Sequence, residues 1–325
     1  MSFPEPILPP ELERITFILA LEGQKEPAHP TNLLLVAKRV REWLIPVLYF
    51  KTIVRHSSQT YPLNTINPSQ SIAQHGNHTK HLLLECRKSE GDDEDSANIL
   101  RYCPNVQRLT IWGGNLGDVA LSMLELKYVT HLSINKAHLD DAMNVIEDTV
   151  TAQTLLQTFL SKITHFENLG PIGENDLNGF KQFISLTHLC VSVVGVEGPV
   201  INHLVEMHPD VVVIILFSGQ EGPVIDRMIR SMGLDVERDP DNEWRWATFV
   251  DEVLGSLRLS KRCKEQLVVF GCRDNVAAWQ NGAMSREMCM WARADKVIRM
   301  RRNRVERSDF RWRYPYWTTI KSGIL

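Results

Sequence analysis

Val106-Gln107-Arg108-Leu109-Thr110-Ile111 and Val129-Thr130-His131-Leu132-Ser133-Ile134 are two copies of one phrase, an apolar residue, two polar ones, then apolar-x-apolar. It returns as Ile163-Thr164-His165-Phe166 and Leu186-Thr187-His188-Leu189-Cys190-Val191, with looser copies at Thr79-Lys80-His81-Leu82-Leu83-Leu84 and Val211-Val212-Val213-Ile214-Ile215-Leu216. The copies begin at residues 79, 106, 129, 163, 186 and 211, which sets intervals of 27, 23, 34, 23 and 25 residues. Alternating apolar positions have the period of a strand. A recurrence of this length gives each unit one strand and one return segment.

Between the copies, residues 97–103, 118–127, 140–150, 176–184, 200–207 and 224–232 place apolar side chains three or four apart, which predicts helices. Strand and helix in alternation imply parallel pairing. The intervals lie in the leucine-rich-repeat range, apart from the long one, which predicts an extra helical turn at 151–159. Where such repeats carry Asn or Cys, this chain has Gly114, Ala137, Val194 and Gly219, which predicts an irregular arc. The expected fold class is therefore α/β. A three-helix element over 1–50 precedes an irregular leucine-rich-repeat-like solenoid over 51–275, with a final strand at 266–271. A C-terminal capping helix and a basic, aromatic tail occupy 276–325.

Strand alternation then sorts the side chains. If Leu109, Ile111, Leu132, Ile134, Leu189 and Val191 point inward, the residues between them point to an outer, concave face. Its first column holds His81, Arg108, His131, His165 and His188; a second holds Thr110, Ser133, Glu167 and Cys190; a third holds Glu85, Trp112, Asn135 and Ser192. The candidate substrate-binding residues are His81, Arg108, His131, His165 and His188, with Trp112 as an aromatic anchor beside Arg108. Stacked imidazoles around a guanidinium suit an anionic partner. They diverge along successive strands and lack the convergence of a metal site, so no metal is expected. The plain alternative is that Thr-His-Leu is a solvated strand idiom.

The first fifty residues predict three short helices. Pro9 and Pro10 precede a helix in which Leu12, Ile15 and Leu19 share one face. A second runs from Thr31 or Asn32 through Val36, Ala37 and Val40, and a third carries Trp43, Leu44, Val47 and Leu48, with a break near Pro46. The order Leu8-Pro9-Pro10-Glu11-Leu12, Ile15, Leu19, Val36-Ala37-Lys38-Arg39-Val40 and Trp43 resembles an F-box, and with the repeats the chain resembles F-box/leucine-rich-repeat proteins of the fungal F-box-like type. That resemblance implies a substrate-recognition subunit of a Skp–cullin–F-box ubiquitin ligase. Leu8, Pro9, Leu12, Ile15, Leu19, Val36 and Trp43 would face the Skp-type adaptor, with the cullin beyond it, and the repeat face would choose an unknown protein substrate. The bland alternative is a helical cap on a repeat scaffold that binds a protein or peptide without ubiquitin machinery.

Composition narrows the classes further. The formal charge of −3 over 325 residues attracts no particular partner, yet residues 286–313 hold ten Lys/Arg against four Asp/Glu. Arg299 to Arg313 interleave with Phe310 and Trp312, which raises nucleic acid as a third reading. Helical periodicity at Met288, Trp291, Ala294, Ile298 and Val305 favours a packed helix with a solvated arginine face instead. Six dispersed cysteines without C-x-x-C predict buried free thiols. Asp92-Asp93-Glu94-Asp95 reads as a solvated loop. No nucleophile elbow, zincin helix or phosphate loop is present, so the expectation is a non-enzyme without cofactor. The longest apolar run, 211–217, is too short to cross a bilayer, and a cytoplasmic or nuclear location without a membrane partner is expected.

Overall fold

Every copy of the phrase becomes a strand in the computed structural model. The strands are β1 (Lys51–Arg55), β2 (His81–Glu85), β3 (Arg108–Trp112), β4 (His131–Ile134), β5 (His165–Asn168), β6 (His188–Ser192), β7 (Val212–Ser218) and β8 (Leu267–Cys272). Their order in the sheet is their order in the chain. The helices among them are α1 (Pro10–Glu22), α2 (Pro30–Leu34), α3 (Lys38–Tyr49), α4 (Pro68–His75), α5 (Asp92–Tyr102), α6 (Gly117–Leu124), α7 (Val150–Leu160), α8 (Leu177–Phe180), α9 (Gly198–Met207) and α10 (Lys261–Gln266). The structure describes residues 8–22, 30–55, 68–85, 92–112, 117–135, 139, 150–170, 172–173, 177–192, 197–218, 258–272, 291–292, 294–295 and 298–299. The helix expected at 224–232, most of that at 140–150 and the tail from 300 lie outside them. Two compact units divide the chain, Met1–Gly170 with Asn178–Leu186, and Pro171–Leu177 with Thr187–Leu325.

In the first unit β1 to β5 pair in parallel with one register. The register is set where each strand begins. Phe50 O accepts from Lys80 N and His81 N at 2.9 and 3.0 Å, Lys80 O from Gln107 N and Arg108 N at 2.8 and 3.0 Å, Gln107 O from Thr130 N and His131 N at 3.0 and 3.1 Å, and Thr130 O from Thr164 N and His165 N at 2.9 and 3.1 Å. One carbonyl holding two successive amides leaves no freedom to slip by a residue, a slip that would turn every side chain to the other face. The two polar residues of the phrase are the pair so held. The apolar-x-apolar pair that follows goes inside: Leu82, Leu84, Leu109, Ile111, Leu132 and Ile134 are all buried. Phe166 packs on Phe180 and Phe183 with ring centroids 5.7 and 4.8 Å apart.

The N-terminal helices close a core of their own. Val40, Leu44, Leu48 and Tyr49 of α3 meet Phe17, Ile18 and Leu21 of α1 and Leu33 and Leu34 of α2, and Arg39 bonds Glu13 at 2.8 Å. Two boundaries differ from expectation. The second helix stops at Leu34 because Ala37 takes an extended backbone, φ −160° and ψ 153°, so Val40 belongs to α3. Pro46 does not break α3, which runs on to Tyr49 with its buried face fixed at Val40, Leu44 and Leu48.

In the second unit β6 to β8 are again parallel. Val200, Ile201, Leu204 and Val205 bury one side of α9. Ser260 caps α10 by accepting from Cys263 N at 3.2 Å. Arg258 just before it lies in the left-handed region at φ 47°, held by Asn202, whose amide donates to Arg258 O at 3.3 Å and whose oxygen accepts from Ser260 N at 2.8 Å.

The expected solenoid with an open concave face is corrected by these observations. The structure is an α/β fold of parallel strands in chain order alternating with helices. Of the second column assigned to an open face, Thr110 and Ser133 in the first unit and Cys190 in the second are buried, and Glu167 is half-buried. Strands buried on both faces belong to a covered parallel sheet. The C-terminal helix does not cap an edge either. Trp291, Ala294 and Ile298 pack on Cys190, Val212, Ile214 and Val268, which span β6, β7 and β8, so this segment lies across a face.

Close approach makes Gly76 sensitive. A Cβ there would stand 2.5 Å from Tyr102 O and 3.0 Å from Cys103 Sγ. Gly76→Ala should therefore destabilise the chain by about 1–3 kcal/mol in urea unfolding, as overpacking does. An unchanged midpoint would contradict the close approach of Gly76 to Tyr102 and Cys103.

Candidate functional site

Two groups of side chains stand out, one on the N-terminal helices and one along the strand beginnings of the first unit. On α1, Phe17, Ile18 and Leu21 face the small core. The preceding residue Leu8 together with Leu12, Ile15 and Leu19 forms a second apolar stripe that remains 43–60% exposed. Spacings of three and four residues put Leu12, Ile15 and Leu19 on one side of the helix. Leu35 and Val36, in the turn after α2, are exposed as well. Pro9 is exposed. Trp43 instead packs against the helix core and is half-buried, so it holds the helices together more than it presents a surface.

The second group is the first row of the parallel register: Lys51, His81, Arg108, His131 and His165. Lys51 joins the sequence-derived set because β1 extends the sheet one strand further than the phrase does. His131 and His165 stack with centroids 3.9 Å apart and planes 11° from parallel. Thr130 Oγ1 lies 3.0 Å from His131 Nδ1, and Thr164 Oγ1 lies 2.8 Å from His165 Nδ1. Thr164 also donates its single proton to Thr130 O at 3.2 Å, which leaves its oxygen to accept from His165 Nδ1. The Thr-His pair is thus a device that fixes the ring by Nδ1.

His81 sits between two cations. It packs against Phe50 at 4.8 Å, is only 8% exposed, and its Nδ1 has no hydrogen-bond partner among the described residues. Burial first, then Arg108 and Lys51, lower its pKa from the usual 6.5 to about 3. Burial lowers Lys51 from 10.5 to about 8, so that it keeps its charge at neutral pH. In the row above, Ser133 donates to Glu167 Oε2 at 2.6 Å; burial raises that carboxyl and the bond offsets part of the rise. Trp112 ends β3 opposite Glu85. It is half-buried rather than an open anchor, and its Nε1 has no hydrogen-bond partner among the described residues.

His188 belongs to the second unit and is occupied. Thr187 Oγ1 holds its Nδ1 at 2.9 Å, Nε2 meets Asp295 Oδ1 at 3.1 Å, and Trp291 stands edge-on at 5.8 Å. Burial lowers its pKa while Asp295 raises it. The link spans 107 residues, so no local pattern in the sequence announces it.

Cys103, Cys190 and Cys263 are free and buried, and burial raises the thiols of Cys103 and Cys263 to about 11, far from a nucleophile's range. Among the described residues no three His, Cys, Asp or Glu gather as metal ligands, and no helix is long and apolar enough to cross a membrane. Comparison with protein-family models gives no match, and comparison with curated proteins gives none.

His81 has a consequence for stability. Its folded pKa is depressed, so between about 6.5 and about 3 the unfolded chain binds the proton and the folded chain does not. Stability is full above that window and falls as pH drops through it. His81→Gln should lose less stability than the parent across the same window, read by urea unfolding at stepped pH. Parallel curves for the two proteins would contradict a neutral, buried His81.

Proposed function

We propose that this chain is a substrate-recognition subunit of a Skp–cullin–F-box ubiquitin ligase, which docks the Skp-type adaptor through its N-terminal helices and engages a protein substrate along the strand beginnings of its sheet. The observation that supports it is the second apolar stripe of α1. A helix that needed only to cover the sheet would bury its apolar side and expose polar residues. This one packs the partly buried Phe17, Ile18 and Leu21 on the helix core and still presents Leu12, Ile15 and Leu19, with Leu35 and Val36 also exposed. Aliphatic side chains exposed in that number are suited to a protein partner. In this reading ubiquitin transfer belongs to the partners, the chain itself is no enzyme and takes no cofactor, and it works in the cytoplasm, the nucleus or both.

Buried and exposed residues of α1 separate folding from docking. Full-length chain should co-elute with a purified Skp-type adaptor, and Leu12→Ala combined with Ile15→Ala should weaken the complex by about tenfold or more while unfolding at an unchanged temperature, because both side chains are exposed. Absent co-elution, or co-elution indifferent to the double substitution, would replace this reading with a protein-binding scaffold that uses no ubiquitin machinery.

A further inference from the structure

The N-terminal helices join the sheet at two aromatic residues, and each of them faces a histidine. Tyr49 ends α3, and Phe50 leads from it into β1. Tyr49 meets His75, the last residue of α4, with ring centroids 4.9 Å apart and planes tilted by 51°. Phe50 meets His81, the first residue of β2, at 4.8 Å and 55°. The backbone ties the same point, because Phe50 O accepts from both Lys80 N and His81 N. Thr52 Oγ1 donates to Tyr49 O at 3.4 Å. A threonine has one proton to give, so Thr79 is the donor in its 3.0 Å bond to Thr52 Oγ1. Tyr49 and His81 are buried, and His75 is half-buried.

We infer that this joint is a pH-sensitive latch, closed while His75 and His81 are both neutral, and that protonation of the pair releases the N-terminal helices before the rest of the sheet unfolds. The groups around the two rings support it. His78 in the turn after α4 and Arg41 of α3 act on His75, while Arg108 of β3 and Lys51 of β1 act on His81. All four are bases, and among the described residues no carboxylate acts on either ring. Burial first, and then these bases, lower both pKa values from the usual 6.5. The carbonyl end of α4 favours a charged His75 and tempers the effect there. An imidazolium carries a proton on each nitrogen, yet Nδ1 of His81 has no hydrogen-bond partner among the described residues. His188 is the contrast, because Asp295 faces it and favours its charged form against burial. Below 6.5 the open joint therefore binds protons that the closed joint does not. Closure is full above that pH and weakens as pH falls through the window. The inference uses none of the exposed stripe of α1, so it stands apart from the adaptor reading.

The test is hydrogen–deuterium exchange of the full-length chain at stepped pH, corrected for the intrinsic pH dependence of amide exchange. On going from about pH 7 to about pH 5, protection over residues 40–50 should fall about tenfold further than protection over 108–112 and 131–134. In His75→Gln combined with His81→Gln the extra fall over 40–50 should vanish, whatever the absolute protection. Arg41→Gln alters an exposed side chain and so keeps the fold. It removes one base from beside His75 and should make the fall over 40–50 shallower, a readout that holds even where the double variant does not fold. An equal fall across all these peptides, or a fall over 40–50 as steep in Arg41→Gln as in the parent, would overturn the latch.

Discussion

The hydrogen bonds that open the strands determine much of the rest. At four successive steps of the first unit one carbonyl accepts from two consecutive amides, those of the two polar residues in the phrase. The register this imposes stacks equivalent residues of neighbouring strands. Polar residues thereby gather in the first row, and the row that follows is Leu82, Leu109, Leu132 and Phe166. A phrase repeated in sequence becomes a row of Lys, His and Arg side chains at the strand beginnings.

The body of the protein and its N-terminal helices treat apolar surface in opposite ways. Within the sheet both sides of the strands are buried, and small polar residues such as Thr110 and Ser133 go inside with them. Ser133 can do so because Glu167 accepts its proton from the adjacent strand. On α1 the helix core is complete with one stripe, yet a second stripe of leucine and isoleucine stays in solvent. Exposed aliphatic area of that kind contributes nothing to folding and is a standing cost in solubility.

Sequence pattern made the strands legible because apolar-x-apolar has only one good use when flanked by polar pairs. It missed β1, since Lys51-Thr52-Ile53-Val54-Arg55 lacks the phrase's leading apolar residue and follows directly on a helix. The acidic run at 92–95 reads as a loop by composition but opens α5. The division of the second and third helices at Ala37 is hidden by continuous apolar spacing across it. Exposure was the largest gap. Alternation distinguishes two sides of a strand, but whether the polar side is open depends on what folds over it, and the segment at 291–298 that covers β6 to β8 comes from far along the chain. Of the candidate residues, His81, Arg108, His131 and His165 do share a row, His188 is already engaged by Asp295, and Trp43 and Trp112 are packed more deeply than an anchor would be.

Hydrogen–deuterium exchange of the full-length chain, with and without a purified Skp-type adaptor, tests the central claim most directly. Peptides covering residues 8–19 and 35–36 should gain protection on adding the adaptor, while those covering the strand beginnings at 81, 108, 131 and 165 should exchange as before. Unchanged exchange over 8–19, or protection confined to the strands, would contradict the assignment of the exposed stripe of α1 as the docking surface.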